Sequence, residues 1–168
     1  MVSERDVVPS ADEWAAVKRD AAAVDMGGGA EAPMAAAVLQ EMLDALRAGV
    51  PNEACGILVS DRYWSDGGAA VRWVGLRNSA ESPYRYMIDP QEQLKVWMEL
   101  DDADEVVWAI VHSHVASPAR PSQTDIGLAY YPDSLYVVVS LTEMAQPEVR
   151  AWSIVDDVVT EVTLLVTR

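Results

Sequence analysis

The run Val106-Val-Trp-Ala-Ile-Val-His112-Ser-His114-Val-Ala-Ser-Pro118-Ala-Arg120-Pro121-Ser122-Gln-Thr-Asp125 decides most of what can be read from this chain. Val106–His112 is continuously apolar up to the histidine, the pattern of a strand covered on both faces. A loop with two prolines follows, and Ser122 then stands where a helix can begin. His112 and His114 are the only histidines of the protein. Residues i and i+2 of a strand project from the same face, so both imidazoles point one way where the strand runs out.

Upstream of this run, apolar residues at 34, 38, 39, 42, 43 and 46 follow helical spacing. Gly49 and Pro51 end that helix. A short strand, Gly56–Ser60, comes next, then a polar turn at Asp66-Gly67-Gly68. Ala70–Leu76 and Tyr84–Ile88 read as two further strands. Asp89 as N-cap, Pro90 at the first helical position and Glu92 open a second helix. It is expected to run to about Asp104, burying Leu94, Trp97 and either Leu100 or Met98. Downstream, Leu135–Leu141, Val149–Val155 and Val158–Val166 are strand-like. This is a mixed, three-layer α/β arrangement with two main helices and a shorter third, without the regular βαβ alternation of a doubly wound parallel sheet.

The expected domain spans residues 34–168. Residues 1–33 read as an extension, partly helical or disordered. Ser10-Ala-Asp-Glu13 has the form of a capping box and opens an Ala-rich stretch to about Val24 with a thin apolar face. Gly27-Gly28-Gly29 and Pro33 then interrupt it. A flap, a dimer contact or a free arm are all open for this segment, so a homodimer stays compatible with the sequence.

Bulk composition narrows the function classes. The 168 residues are 51% apolar, enough for a substantial core. A formal charge of −15 repels phosphate backbones, so no nucleic acid partner is expected. No apolar run approaches the roughly 18–20 residues of a membrane helix, so no membrane partner is expected. The polar start Met-Val-Ser-Glu-Arg-Asp lacks the apolar core of a secretion signal, and the expected location is cytoplasmic. Cys55 is the single cysteine. It excludes an intramolecular disulfide, a multi-cysteine metal site, and the Pro-Cys-x-x-Cys signature of zinc deaminases.

Two imidazoles on one face supply half of a tetrahedral zinc shell, with nitrogens about 2.0–2.1 Å from the metal. Asp125, on the first turn of the next helix, can fold back as a third ligand and leave one position for water, as in catalytic sites. Other readings stand beside this one. Paired histidines are often plain surface or core residues, and Ser122-x-x-Asp125 also has the form of a capping box.

His-Ser-His, seven residues, then Ser-x-x-Asp, with an upstream Glu in Pro51-Asn-Glu53-Ala-Cys-Gly56, resembles the JAMM (MPN+) metalloprotease motif. The likeness covers about residues 34–168 and includes the Asp89-Pro90 helix start and the Tyr136–Leu141 strand. It implies a mixed, curved sheet flanked by helices, cytidine-deaminase-like in fold, and a Zn2+ cofactor held by His112, His114 and Asp125. It further implies that Glu53 acts on the attacking water as general base and then general acid. Ser122 would hydrogen-bond the oxyanion. Taken alone, Glu53 would be an ordinary exposed acid at a helix end. Cys55 has no histidine outside the metal site to activate it, and reads as a small buried strand residue.

Family members cut amide or isopeptide bonds at the C-terminal tails of ubiquitin or ubiquitin-like proteins. The segment between Asp125 and the Leu135 strand is too short for a large insertion, which matches the compact bacterial branch. Asp104-Glu-Val-Val107, Glu53-Ala-Cys-Gly56 and Tyr131-Pro-Asp-Ser-Leu-Tyr-Val137 resemble the subgroup acting on sulfur-carrier–cysteine adducts. The implied partner is a ubiquitin-like sulfur carrier ending in Gly-Gly, from which cysteine is released during cysteine biosynthesis. Glycine lets an extended tail lie close in a narrow cleft and add to a sheet edge. Arg120, between the ligands, is a candidate for the free carboxylate of the released residue. Two alternatives remain open: trimming of residues beyond Gly-Gly to activate the carrier, and a non-catalytic protein-binding scaffold.

Overall fold

The computed structural model describes residues 30–168. Seven strands form one mixed sheet: β1 (Glu31–Ala35), β2 (Cys55–Ser60), β3 (Arg72–Leu76), β4 (Val106–His114), β5 (Leu135–Ser140), β6 (Glu148–Val155) and β7 (Val158–Thr167). Their order across the sheet is β1-β7-β6-β5-β4-β2-β3. β4 and β5 run parallel, as do β1 and β7, and the remaining neighbours are antiparallel. The sheet curls until its two ends meet, with Ala70 N donating to Pro33 O at 2.9 Å just ahead of β3.

Helices α1 (Ala36–Ala48) and α2 (Pro90–Asp102) cover separate hydrophobic clusters. α1 brings Val38, Met42 and Leu46 to one cluster, with Trp108, Val111, Val137 and Val139. α2 brings Leu100 to the other, with Ile57, Ile110, Tyr136 and Val138. β4 and β5 thus contribute side chains to both, which is why each reads as an unbroken apolar run. The α/β layering expected from the sequence is the one observed.

Three local expectations change. Residues 31–33 belong to the sheet rather than to an extension: β1 pairs with β7, and Ala32 and Met34 are fully buried. Pro33 is tolerated there because β1 ends the strand order, where a missing N–H breaks no central ladder. The expected start of the first helix at Met34 moves accordingly to Ala36. The capping-box helix from Ser10 lies outside the described residues.

Tyr84–Ile88 is not a strand. Only Ile88 makes a bridge, to Asn78, and the Asn78 side chain takes the place of a partner strand, as described below. α2 turns Gln93, Val96, Trp97 and Leu100 inward, at i, i+3, i+4 and i+7. Leu94, expected inside, is 65% exposed, and Met98 on the same outer face is 60% exposed.

Candidate metal centre and active site

β4 continues two residues past the expected end and carries both histidines within regular strand structure. Cys55 of β2 pairs with His112, and Ser113 N donates to Ala54 O at 2.9 Å. Ser113 Oγ in turn accepts from Ala54 N at 2.9 Å. Continuing this antiparallel register sets Glu53 against His114. Glu53 is therefore 5% exposed, not the exposed helix-end acid its local sequence suggests.

The loop after His114 is held by three successive carbonyls. Ser140 Oγ donates to Ser117 O at 2.8 Å, His114 Nδ1 to Pro118 O at 2.8 Å, and Trp152 Nε1 to Ala119 O at 3.1 Å. This fixed path delivers Ser122 and α3 (Gln123–Gly127) to the histidines. Ser122 caps α3: its Oγ accepts from Asp125 N at 3.1 Å, while Asp125 Oδ2 accepts from Ser122 N at 2.7 Å. The capping box is thus realised, and the carboxylate oxygen that completes it is the one that faces the two imidazoles. The cap uses a lone pair of Ser122 and leaves its O–H free to donate.

Asp125 Oδ2 lies 3.2 Å from His112 Nε2 and 3.4 Å from His114 Nε2, and the two nitrogens are 3.0 Å apart. A tetrahedral zinc shell with arms of about 2.05 Å has edges of about 3.3 Å. The three donor atoms therefore already stand at ligand–ligand spacing, and this donor set fits a zinc ion; no other group of three such residues converges among the described ones. The protonation states of His112 and Asp125 suit ligation, which needs neutral imidazole and charged carboxylate. His114, by contrast, would have to give up a proton it holds more firmly than usual. Burial lowers the pKa of His112. Burial raises that of Asp125, but the hydrogen bonds from both histidines and Ser122 N outweigh it and hold the carboxyl well below the usual range. For His114, burial is overcome by Asp125 and the Pro118 carbonyl, and its pKa moves up.

Glu53 is raised to about 7, mainly by burial, with His114 opposing and Asp125 adding to the rise. A buried carboxyl poised near neutrality beside the histidines is suited to taking and returning a proton. Cys55 is inert by contrast. Burial pushes its thiol up to about 12, and Sγ donates to Leu76 O at 3.5 Å.

A cleft leads from this centre. Ser122 and Asp125 line it together with Arg85, Tyr86, Leu128 and Tyr131. Its tyrosine wall is braced: Gln93 Nε2 donates to Tyr131 Oη at 2.6 Å, and Tyr131 N donates to Tyr136 Oη at 3.0 Å. Arg120 is not among the lining residues. It is exposed, and its charge acts on Glu161 of β7. The cation in the cleft is Arg85, which makes no ion pair with any described residue. Sequence reasoning missed Asn78, which lies between the two expected strands, and Arg85 and Tyr86, which fall within the expected Tyr84–Ile88 strand; the Asn-Ser-Ala-Glu-Ser-Pro turn composition was the only local signal.

A curled mixed sheet carrying a His-x-His strand end, a capped Asp and a buried Glu is the arrangement of a JAB-class domain with a candidate His-His-Asp metal site. The chain belongs to the family described as prokaryotic homologs of the JAB domain, which matches residues 35–155. A CysO-cysteine peptidase of Mycobacterium tuberculosis is 45% identical over 115 residues, 66% of this chain and 74% of that protein. A desampylase of Pyrococcus furiosus is 35% identical over 78 residues, 46% of this chain and 52% of that protein. The solution structure of DSY2949 from Desulfitobacterium hafniense superposes with a TM-score of 0.72 at 34% identity, covering 81% of this chain and 92% of that one. No helix among the described residues is long and apolar enough to cross a membrane.

Proposed function

We propose that this chain is a cytoplasmic zinc metallopeptidase. Its substrate is the amide bond after the C-terminal Gly-Gly of a ubiquitin-like sulfur carrier, and it releases cysteine from a carrier–cysteine adduct. The observation that carries the hydrolase reading is the convergence of His112 Nε2, His114 Nε2 and Asp125 Oδ2 beside a buried, near-neutral Glu53. The named activity of the mycobacterial relative supports the choice of substrate.

Bound zinc would supply Lewis-acid polarisation of the scissile carbonyl and of the attacking water. Glu53, ionised, takes a proton from that water as its oxygen bonds to the carbonyl carbon. The same carboxyl then gives the proton to the departing nitrogen as the C–N bond breaks, so acid and base are one group. Ser122 donates its free O–H to the oxygen on which charge develops. The cleft takes the extended tail, and Arg85 is better placed than Arg120 to meet an anionic group on the substrate.

The test is intact-mass spectrometry of carriers ending Gly-Gly-X, where X is cysteine, another single residue or a short native tail. Parallel samples contain chelator or the Glu53→Ala variant. Loss of cysteine, abolished in both controls, supports the proposal. Preferential cutting of native tails moves the protein to carrier maturation. No cleavage of any substrate by zinc-loaded protein leaves a protein-binding scaffold as the better reading.

A further inference from the structure

The two histidines are held by different means. A metal-ligating imidazole normally donates its second ring N–H to an acceptor, which sets the tautomer and the ring orientation. His114 does this through Nδ1 and the Pro118 carbonyl. His112 does not: its Nδ1 is buried and has no hydrogen-bond partner among the described residues. Against its face lies the ring of Tyr86, with centroids 4.2 Å apart and planes at 19°. Rotating the imidazole about its Cβ–Cγ bond would sweep a ring edge into that phenol and carry Nε2 away from Asp125 and His114.

The backbone on either side of Tyr86 is itself held. Met87 N donates to Asn78 Oδ1 at 2.9 Å, and Asn78 Nδ2 donates to Arg85 O at 3.1 Å, so one amide brackets both neighbours of Tyr86. The same Nδ2 also donates to Glu53 O at 2.9 Å. Backbone bonds from Ser79 N to Met87 O and from Asp89 N to Arg77 O, at 2.8 and 3.0 Å, close the base of the loop.

We propose that Tyr86, fixed by Asn78, is a positioning residue for His112, setting by ring stacking the orientation that a hydrogen bond sets for His114. This rests on the reading of His112 as a zinc ligand. A planar partner is what the geometry requires; the phenol hydroxyl makes no hydrogen bond with the described residues and is dispensable.

The experiment compares wild-type protein with Tyr86→Phe, Tyr86→Leu and Tyr86→Met, all as the full chain with folding checked by circular dichroism. Zinc affinity is measured by competition with a chromophoric chelator, and the visible absorption of the cobalt-loaded proteins is recorded. Tyr86→Phe should match wild type within about twofold, while Tyr86→Leu and Tyr86→Met should bind zinc about 10- to 100-fold more weakly, with altered cobalt bands. Tyr86→Met replaces the rigid ring by a flexible apolar chain that can fill irregular space, and carries the comparison if Tyr86→Leu does not fold. Wild-type affinity and spectrum in the Leu and Met variants overturn the positioning role alone. A Phe variant as weak as Leu does so too, because the hydroxyl would then be responsible. Wild-type protein that binds no stoichiometric zinc overturns both this inference and the metal-centre reading.

Discussion

The segment Val106–Asp125 and the loop 77–88 form two walls of one cleft, and they are organised by different kinds of bond. In the first, each candidate ligand or catalytic side chain is anchored by regular structure: a central strand, three pinned carbonyls and a helix cap. In the second there is hardly any ladder, and one asparagine amide with one aromatic stack replaces it. Substitutions in the first wall should therefore remove a reacting group or a ligand outright. Substitutions in the second should loosen a geometry whose groups are all still present.

The largest effect is expected from Asp125→Asn, which removes the ligand charge but keeps the shape of the cap. Stoichiometric zinc binding, followed by equilibrium dialysis with metal analysis, should be lost together with turnover. Retained zinc at wild-type affinity would remove Asp125 from the ligand set. Glu53→Gln should leave zinc binding intact and lower kcat by about 10²–10⁴-fold, the range of a positioned acid–base group. An unchanged kcat in steady-state assays of the carrier–cysteine adduct would contradict its role.

Asn78→Asp sharpens the contrast between the walls. It keeps the Oδ1 acceptor for Met87 N and loses the donor to Glu53 O and Arg85 O. A fall in kcat of about tenfold is expected, the lower end of what outer-shell changes cost. A loss as large as that of Glu53→Gln would mean that the loop holds more than orientation. Arg85→Ala should raise KM about two- to fivefold, as for one solvent-facing charge contact, with Arg120→Ala unchanged. The reverse ranking would return the anion contact to Arg120.

A separate prediction concerns stability rather than turnover. In chelator-treated protein the folded value of Glu53, about 7, lies above its ordinary 4.5. The folded state then favours the protonated form, so this contribution is full below pH 4.5 and is lost as the pH rises through 7. Glu53→Gln should consequently be more stable than wild type at pH 8, by about 1–2 kcal/mol, and by much less at pH 5. Urea denaturation of both proteins at the two pH values measures the difference, and an equal gap at both would show that Glu53 titrates normally.

The strand carrying His112 and His114, the capped start at Ser122 and the Asp89-Pro90 helix were legible because each depends on contacts within a few residues. A buried strand announces itself by an apolar run, and a cap by spacing of three. Burial of Glu53 was not legible, because it follows from a register between β2 and β4 that joins residues about sixty positions apart. β1 was missed for a similar reason: its pairing partner, β7, lies at the far end of the chain.

The amino-acid order alone thus determined the donor types, their shared face and the family likeness, since alternation along a strand and capping at a helix start are local rules. Only the tertiary structure decided that Asp125 Oδ2 meets both imidazoles, that Glu53 is buried to a pKa of about 7, and that Tyr86 lies on His112. Those facts depend on sheet register and loop closure, where contacts between distant residues, rather than neighbours in sequence, set the free energy.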